Sequence, residues 1–118
     1  MHPDISVLPS RVFYDGKLQD GPNMATKTAA TWHGSPVFAP YRFFNVANSR
    51  EVSSGSHSLK NPIEADVALR LYQNIKSQYP GVDFDYRVGI VTMYREQKNE
   101  LMRKFRSQYG PEITSKVE

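Results

Sequence analysis

The stretch Tyr86-Arg87-Val88-Gly89-Ile90-Val91-Thr92-Met93-Tyr94-Arg95-Glu96-Gln97 decides the fold. An apolar run stops at Thr92, and a charged, helix-forming segment begins within a few residues. Val88, Ile90 and Val91 read as a short strand buried on both faces, the habit of parallel sheets covered by helices. Arg95 to Tyr109 carries a helical period. The Thr92–Gln97 junction then falls at the carboxyl end of a parallel strand, where open α/β sheets place their ligands. Thr92, Tyr94, Arg95 and Gln97 are the polar candidates there. The same residues also fit a plain strand end followed by a solvated helix start.

Working outward, Asn61-Pro62-Ile63-Glu64 is a helix start. Asn61 can cap the helix, and Pro62 suits its first position. Glu64 can reach back to the cap amide or favour the helix dipole. Ile63, Val67, Leu71 and Ile75 then predict the buried stripe, with Ala68 and Tyr72 widening it, and Pro80-Gly81 stops the helix. Before it, Tyr41 to Val46 reads as a strand, followed by a polar, flexible Ser/Gly loop over Asn48 to Ser58. Residues 1–14 predict two short helical pieces, each opened by a proline, with Ile5, Leu8, Val12 and Phe13 on an apolar face. From Lys17 to about Pro40 the pattern is lost; Trp32 and His33 lie within this stretch, and a loop Trp more often plugs a core edge than stacks on a ligand. In the last helix Leu101, Met102, Phe105 and Tyr109 form the apolar face. Its cations outnumber Glu96 and Glu100, which fits either a phosphate backbone or an ordinary solvated surface.

Strand, crossover helix and strand make a right-handed βαβ unit. Two strands are too few for a stable covered sheet, so the chain reads as part of a larger α/β domain. Its 118 residues are one domain at most. The net charge of +3 mildly favours an anionic partner. Cysteine is absent, which excludes disulfides, thiolate metal sites and a cysteine nucleophile. No apolar run approaches a membrane span, and no signal peptide is visible, so a soluble intracellular chain without a membrane partner is expected. The sequence holds no GxxxxGK[ST] phosphate loop, no GxGxxG after a strand and no GxSxG elbow. His2, His33 and His57 lack metal-ligand spacing, and Asp83 and Asp85 fit turn chemistry better than catalysis.

The pieces converge on one family. Met1-His2-Pro3, followed by Ile5, Phe13, Tyr14, Gly16 and Leu18, resembles the tail of the Gln-Tyr-Arg-Met-His-Pro motif of Upf-type superfamily 1 helicases. Asp20-Gly21-Pro22, Trp32-His33 and Ala39-Pro40-Tyr41-Arg42-Phe43-Phe44 resemble the senataxin branch. Ser58 to Glu64 is similar to the family's Ser-x-x-Asn-x-x-Glu segment, and Val88 to Gln97 to its Gly-Ile-Ile-Thr/Ser-Pro-Tyr-x-x-Gln block. Met93 departs from the usual Pro. The matches run in family order over nearly the whole chain.

The resemblance implies residues 1–118 of an incomplete RecA-like, P-loop NTPase type α/β fold: a parallel sheet with flanking helices from the second motor domain. Within it, 1–16 is a helical lead-in, 17–40 an irregular, branch-specific loop, and 41–118 strand-helix-strand-helix. The parent is then an ATP- and Mg2+-dependent 5′ to 3′ helicase. Its partners are single-stranded RNA or DNA, RNA–DNA hybrids and the first RecA-like domain. Nuclear work, including transcription termination, is expected, with the cytoplasm as the alternative. Thr92, Tyr94 and Gln97 match positions near the nucleic-acid track, and Met1, His2 and Pro3 are the remnant of a motif near the nucleotide. Asn61 and Glu64 remain chiefly helix-capping groups. Walker A and B and the later helicase blocks are missing, and Met1 coincides with a Met inside a motif, as in a reading frame begun at an internal Met. The expectation is a fragment that neither binds nor hydrolyses ATP alone and does not unwind; the alternative is a non-catalytic interaction module derived from a truncated helicase.

Overall fold

The computed structural model describes residues 1–53, 55 and 57–118. The chain divides into two compact units, Met1–Phe44 and Asn45–Glu118.

In the first unit, α1 (Pro3–Phe13) is one continuous helix rather than the expected two, with Pro9 inside it. His2 caps it: its Nδ1 accepts the Asp4 amide at 3.2 Å. The apolar residues expected to face a core do not. Ile5, Leu8, Val12 and Phe13 are exposed, and the buried positions are Ser6 and Ser10. Ser6 Oγ donates to Asp20 Oδ2 at 2.9 Å, so a polar tie, not an apolar seam, holds the following loop to the helix. The 17–40 stretch is not wholly irregular; it contains α2 (Met24–Lys27) and a 3-10 turn over Thr31–Gly34. Trp32 stands edge-on to His33, and His33 edge-on to His2.

The second unit holds the core: Ala65, Tyr72, Leu101, Phe105 and Ile113, with Ala68, Leu69, Val88, Ile90 and Val117 packed against it. α3 (Pro62–Gln78) and α4 (Arg95–Tyr109) supply most of it. The buried stripe of α3 is Ala65, Ala68, Leu69 and Tyr72: Ala68 and Tyr72, expected at the edge of the stripe, lie on it, while Ile63 is exposed and Val67, Leu71 and Ile75 are only half-buried. The Ile63, Val67, Leu71 and Ile75 series and the buried set both keep helical spacing. Tyr72 meets Phe105 and Tyr109 at ring-centroid distances of 5.4 Å, and Lys76 lies over both tyrosines.

The expected sheet is present only in pieces. Residues 41–46 form no strand, because no neighbouring segment pairs with their backbone. The 48–58 loop instead contributes β1 (Val52–Ser53), antiparallel to β2 (Leu59–Lys60). Ser54 and Ser56, within the expected flexible loop, lie outside the described residues. The 86–92 segment makes one parallel bridge, Val88 to Val117. Tyr86 N–H donates to Lys116 O at 2.7 Å, Glu118 N–H to Val88 O at 3.2 Å, and Ile90 N–H to Glu118 O. Lys116 Nζ and Asp85 Oδ2, 2.8 Å apart, brace the start of this pairing. That contact lowers the Asp85 pKa and raises that of Lys116.

The parallel connection therefore runs through α4 and the short α5 (Ile113–Lys116), not through α3. The Ile113–Val117 segment, which carried no strand expectation, supplies the partner. Burial is also one-sided: Val88 and Ile90 pack on the core, while Val91 is 96% exposed. The remaining expectation, a covered parallel sheet, is reduced among the described residues to this bridge and a two-stranded antiparallel ribbon.

Candidate nucleic-acid interface

Thr92 follows the parallel segment and is half-buried; its Oγ1 accepts the Tyr94 amide at 3.4 Å. Tyr94 occupies the N-cap position of α4 but offers no side-chain cap. Its side chain is half in solvent, and Val91 and Met93 on either side of Thr92 point outward. Arg95 and Lys98, in the first turn of α4, are exposed and make no ion pair among the described residues. Beside this turn lies a groove of about 640 Å³ whose floor includes Ile90, Leu101 and Phe105 and whose polar lining includes Thr92, Lys98 and Arg106. Arg106 Nη2 donates to Thr114 Oγ1 at 3.2 Å.

Gln97 is placed differently from Thr92 and Tyr94. Its Oε1 accepts the Asn61 amide at 2.6 Å and its Nε2 donates to the Asn61 carbonyl at 3.2 Å. Asn61 caps α3 as expected, its Oδ1 accepting from the Ile63 and Glu64 amides at 3.2 Å. Glu64 does not close a capping box, because Gln97 already takes the Asn61 amide; Glu64 stays exposed in the first turn. Ser58 Oγ accepts the Glu96 amide at 3.1 Å and so caps α4 from another part of the chain. The signal for this was readable: α4 starts at Tyr94 without Ser, Thr, Asp or Asn, so its amides needed an outside acceptor.

One turn further along α4, Glu100 is buried and meets Lys60 of β2 at 3.0 Å, together with Arg103 and Lys104. Lys104 also pairs with Asp66 of α3. The Arg103 hydrogen bond, reinforced by Lys60 against the cost of burial, pulls the Glu100 pKa from 4.5 to about 2. Part of the expected basic face of α4 is thus spent on internal pairing. Glu100 was counted in the sequence only as a minority charge; nothing in its local spacing marks it as the buried hub.

Met1, His2 and Pro3 lie in the first unit, where His2 and Pro3 start α1 and Met1 is exposed. Among the described residues no group of His, Asp and Glu could hold a metal ion. No helix of the described residues is long and apolar enough to cross a membrane.

The whole chain, residues 1–118, matches the AAA domain family. It belongs to that family. Within it the chain is a Upf1-like superfamily 1 sequence of the senataxin branch. It is 41% identical to "Helicase sen1" of Schizosaccharomyces pombe and 34% identical to "Helicase SEN1" of Saccharomyces cerevisiae, each over the full chain. It is 32% identical to "Regulator of nonsense transcripts 1" of Caenorhabditis elegans over 92% of the chain. The AAA domain match implies a RecA-like helicase fold, of which the described sheet is incomplete. The chain spans only 7%, 5% and 10% of the lengths of these relatives.

Proposed function

We propose that this chain is the front part of the second RecA-like domain of an ATP-driven helicase acting 5′ to 3′ on RNA or DNA. In that reading it contributes one side of a nucleic-acid track and works against the first RecA-like domain of the parent. ATP and Mg2+ belong to the parent, and no catalytic step is assigned to residues of this chain. The same proposal extends to nuclear work on single-stranded RNA and RNA–DNA hybrids, including transcription termination, and is supported by the resemblance to the senataxin branch.

The observation that carries the reading is the turn at 92–95. Thr92 and Tyr94 lie just beyond a parallel-paired segment; among the described residues their side chains make no hydrogen bond outside the turn, and the Arg95 and Lys98 that follow make no ion pair. A hydroxyl and an aromatic ring beside free cations can hold a phosphate backbone and stack on a base without reading sequence, which suits a translocating motor. Gln97, expected on the same track, has both ends of its amide engaged by Asn61.

The test is fluorescence anisotropy of the 118-residue chain with labelled oligouridylate across a salt series. Binding that weakens with salt, and a further ~10-fold loss in Thr92→Ala/Tyr94→Ala, is expected, the size of one lost stacking contact. Equal affinity of that variant and the unchanged chain overturns the assignment. A coupled ATPase assay on the chain with RNA should read background; measurable turnover removes the fragment reading.

A further inference from the structure

The geometry points to Gln97 as a positioning residue: with Ser58 and Lys60–Glu100 it clasps the start of α4 to the 58–61 segment and so sets where Thr92 and Tyr94 stand. The consequence for nucleic acid rests on the proposed track; the clasp itself does not.

Three successive contacts make it. Ser58 Oγ takes the Glu96 amide, the Gln97 amide pairs with both backbone groups of Asn61, and Lys60 reaches Glu100 at 3.0 Å. Residues 96, 97 and 100 share one side of α4 at its first turns, and 58, 60 and 61 are consecutive or nearly so. The orientation of the Gln97 amide follows from chemistry. Only oxygen toward N–H and nitrogen toward C=O satisfies both bonds, since the flipped amide would oppose donor to donor and acceptor to acceptor.

The clasp continues into α3. Asn61 caps that helix and its Nδ2 donates to Ser49 Oγ at 3.0 Å, while Ser49 Oγ donates to Val46 O at 2.9 Å. The starts of both long helices are therefore joined through one residue. Tyr94 supplies no cap of its own, so these outside bonds are what holds the first turn of α4. Thr92 is tied to that turn through the Tyr94 amide. For Gln97 to contact a phosphate directly, its pair with Asn61 would have to break and leave the half-buried Asn61 amide without its acceptor, while the Asn61 carbonyl would keep only the Ala65 amide of α3.

Hydrogen exchange on the 118-residue chain tests this directly. In Gln97→Ala the Asn61 and Glu96 amides should exchange ~10-fold faster, the scale of one lost hydrogen bond, while Leu101 and Phe105 amides stay slow. Gln97→Glu keeps the acceptor and loses the donor at neutral pH. It should keep Asn61 protected, and its oligouridylate affinity relative to the unchanged chain should recover as pH falls through ~4.3, where the carboxyl regains a proton to donate. Gln97→Ala should also weaken oligouridylate binding in the unchanged chain and not further in Thr92→Ala/Tyr94→Ala. Unchanged Asn61 exchange in Gln97→Ala overturns the clasp, and an equal affinity loss in both backgrounds overturns it in favour of direct contact. If Thr92→Ala/Tyr94→Ala itself leaves affinity unchanged, the track reading fails; the exchange of Asn61 and Glu96 then decides the clasp alone.

Discussion

Phe105, in the 45–118 unit, is 3% exposed against Tyr72; Phe13, in the 1–44 unit, is 76% exposed at the end of α1. Both sit on helices with apolar residues at helical spacing. The difference is a partner. α4 has α3 and the Val88–Val117 pairing to pack on, and among the described residues the buried apolar ones all belong to this unit. α1 turns Ser6 and Ser10 inward and leaves its apolar side open. Amphipathic spacing shows that a helix has a face to bury; it does not supply the surface that buries it.

Phe105→Ala should break this comparison at its strong end. It empties a packed site and should cost about 3–5 kcal/mol in urea unfolding followed by circular dichroism. An effect under ~1 kcal/mol would deny the unit its core.

Glu100→Ala leaves Lys60, Arg103 and Lys104 facing one another. The cost should be about 2 kcal/mol, below that of a fully enclosed pair because Arg103 is largely in solvent. The pH dependence has a definite sign. The carboxyl's folded pKa is depressed, so its contribution is complete above pH 4.5 and drains as pH falls toward about 2. In Glu100→Gln the acid limb of the stability curve should be shallower, and an unaltered limb would assign acid sensitivity elsewhere.

Asn61→Ala removes the cap of α3 and the link to Ser49 but keeps the backbone that Gln97 holds. A loss of about 1 kcal/mol is expected. Phe13→Ser, at the weak end, should change stability by no more than ~0.5 kcal/mol. A larger loss in thermal melts would mean that the exposed face of α1 is covered in solution.

Much of the site was legible before any coordinates. The Asn61 cap followed from Asn-Pro-x-Glu order, since a cap is a contact within three residues. The start of α4 just after the paired segment, which ends at Ile90, followed from a change in hydrophobic pattern. The strand expected at 41–46 failed because a strand exists only with a neighbour, and the Val117 partner of Val88 was missed for the same reason. On α3 the expected stripe shared Ala68 and Tyr72 with the buried one, but helical spacing alone could not centre it on Ala65, Ala68, Leu69 and Tyr72.

The sequence by itself determined the family, the two long helices, the Asn61 cap and the Thr92–Gln97 junction, because each is carried by neighbouring residues or an ordered run of short motifs. Tertiary structure decided which stripe of α3 is buried, that α4 and α5 rather than α3 form the parallel crossover, and that Gln97 clasps Asn61. The 36-position separation of Gln97 from Asn61 is the physical reason. A hydrogen bond over that separation exists only after α3 and α4 have packed, and no local pattern records the packing.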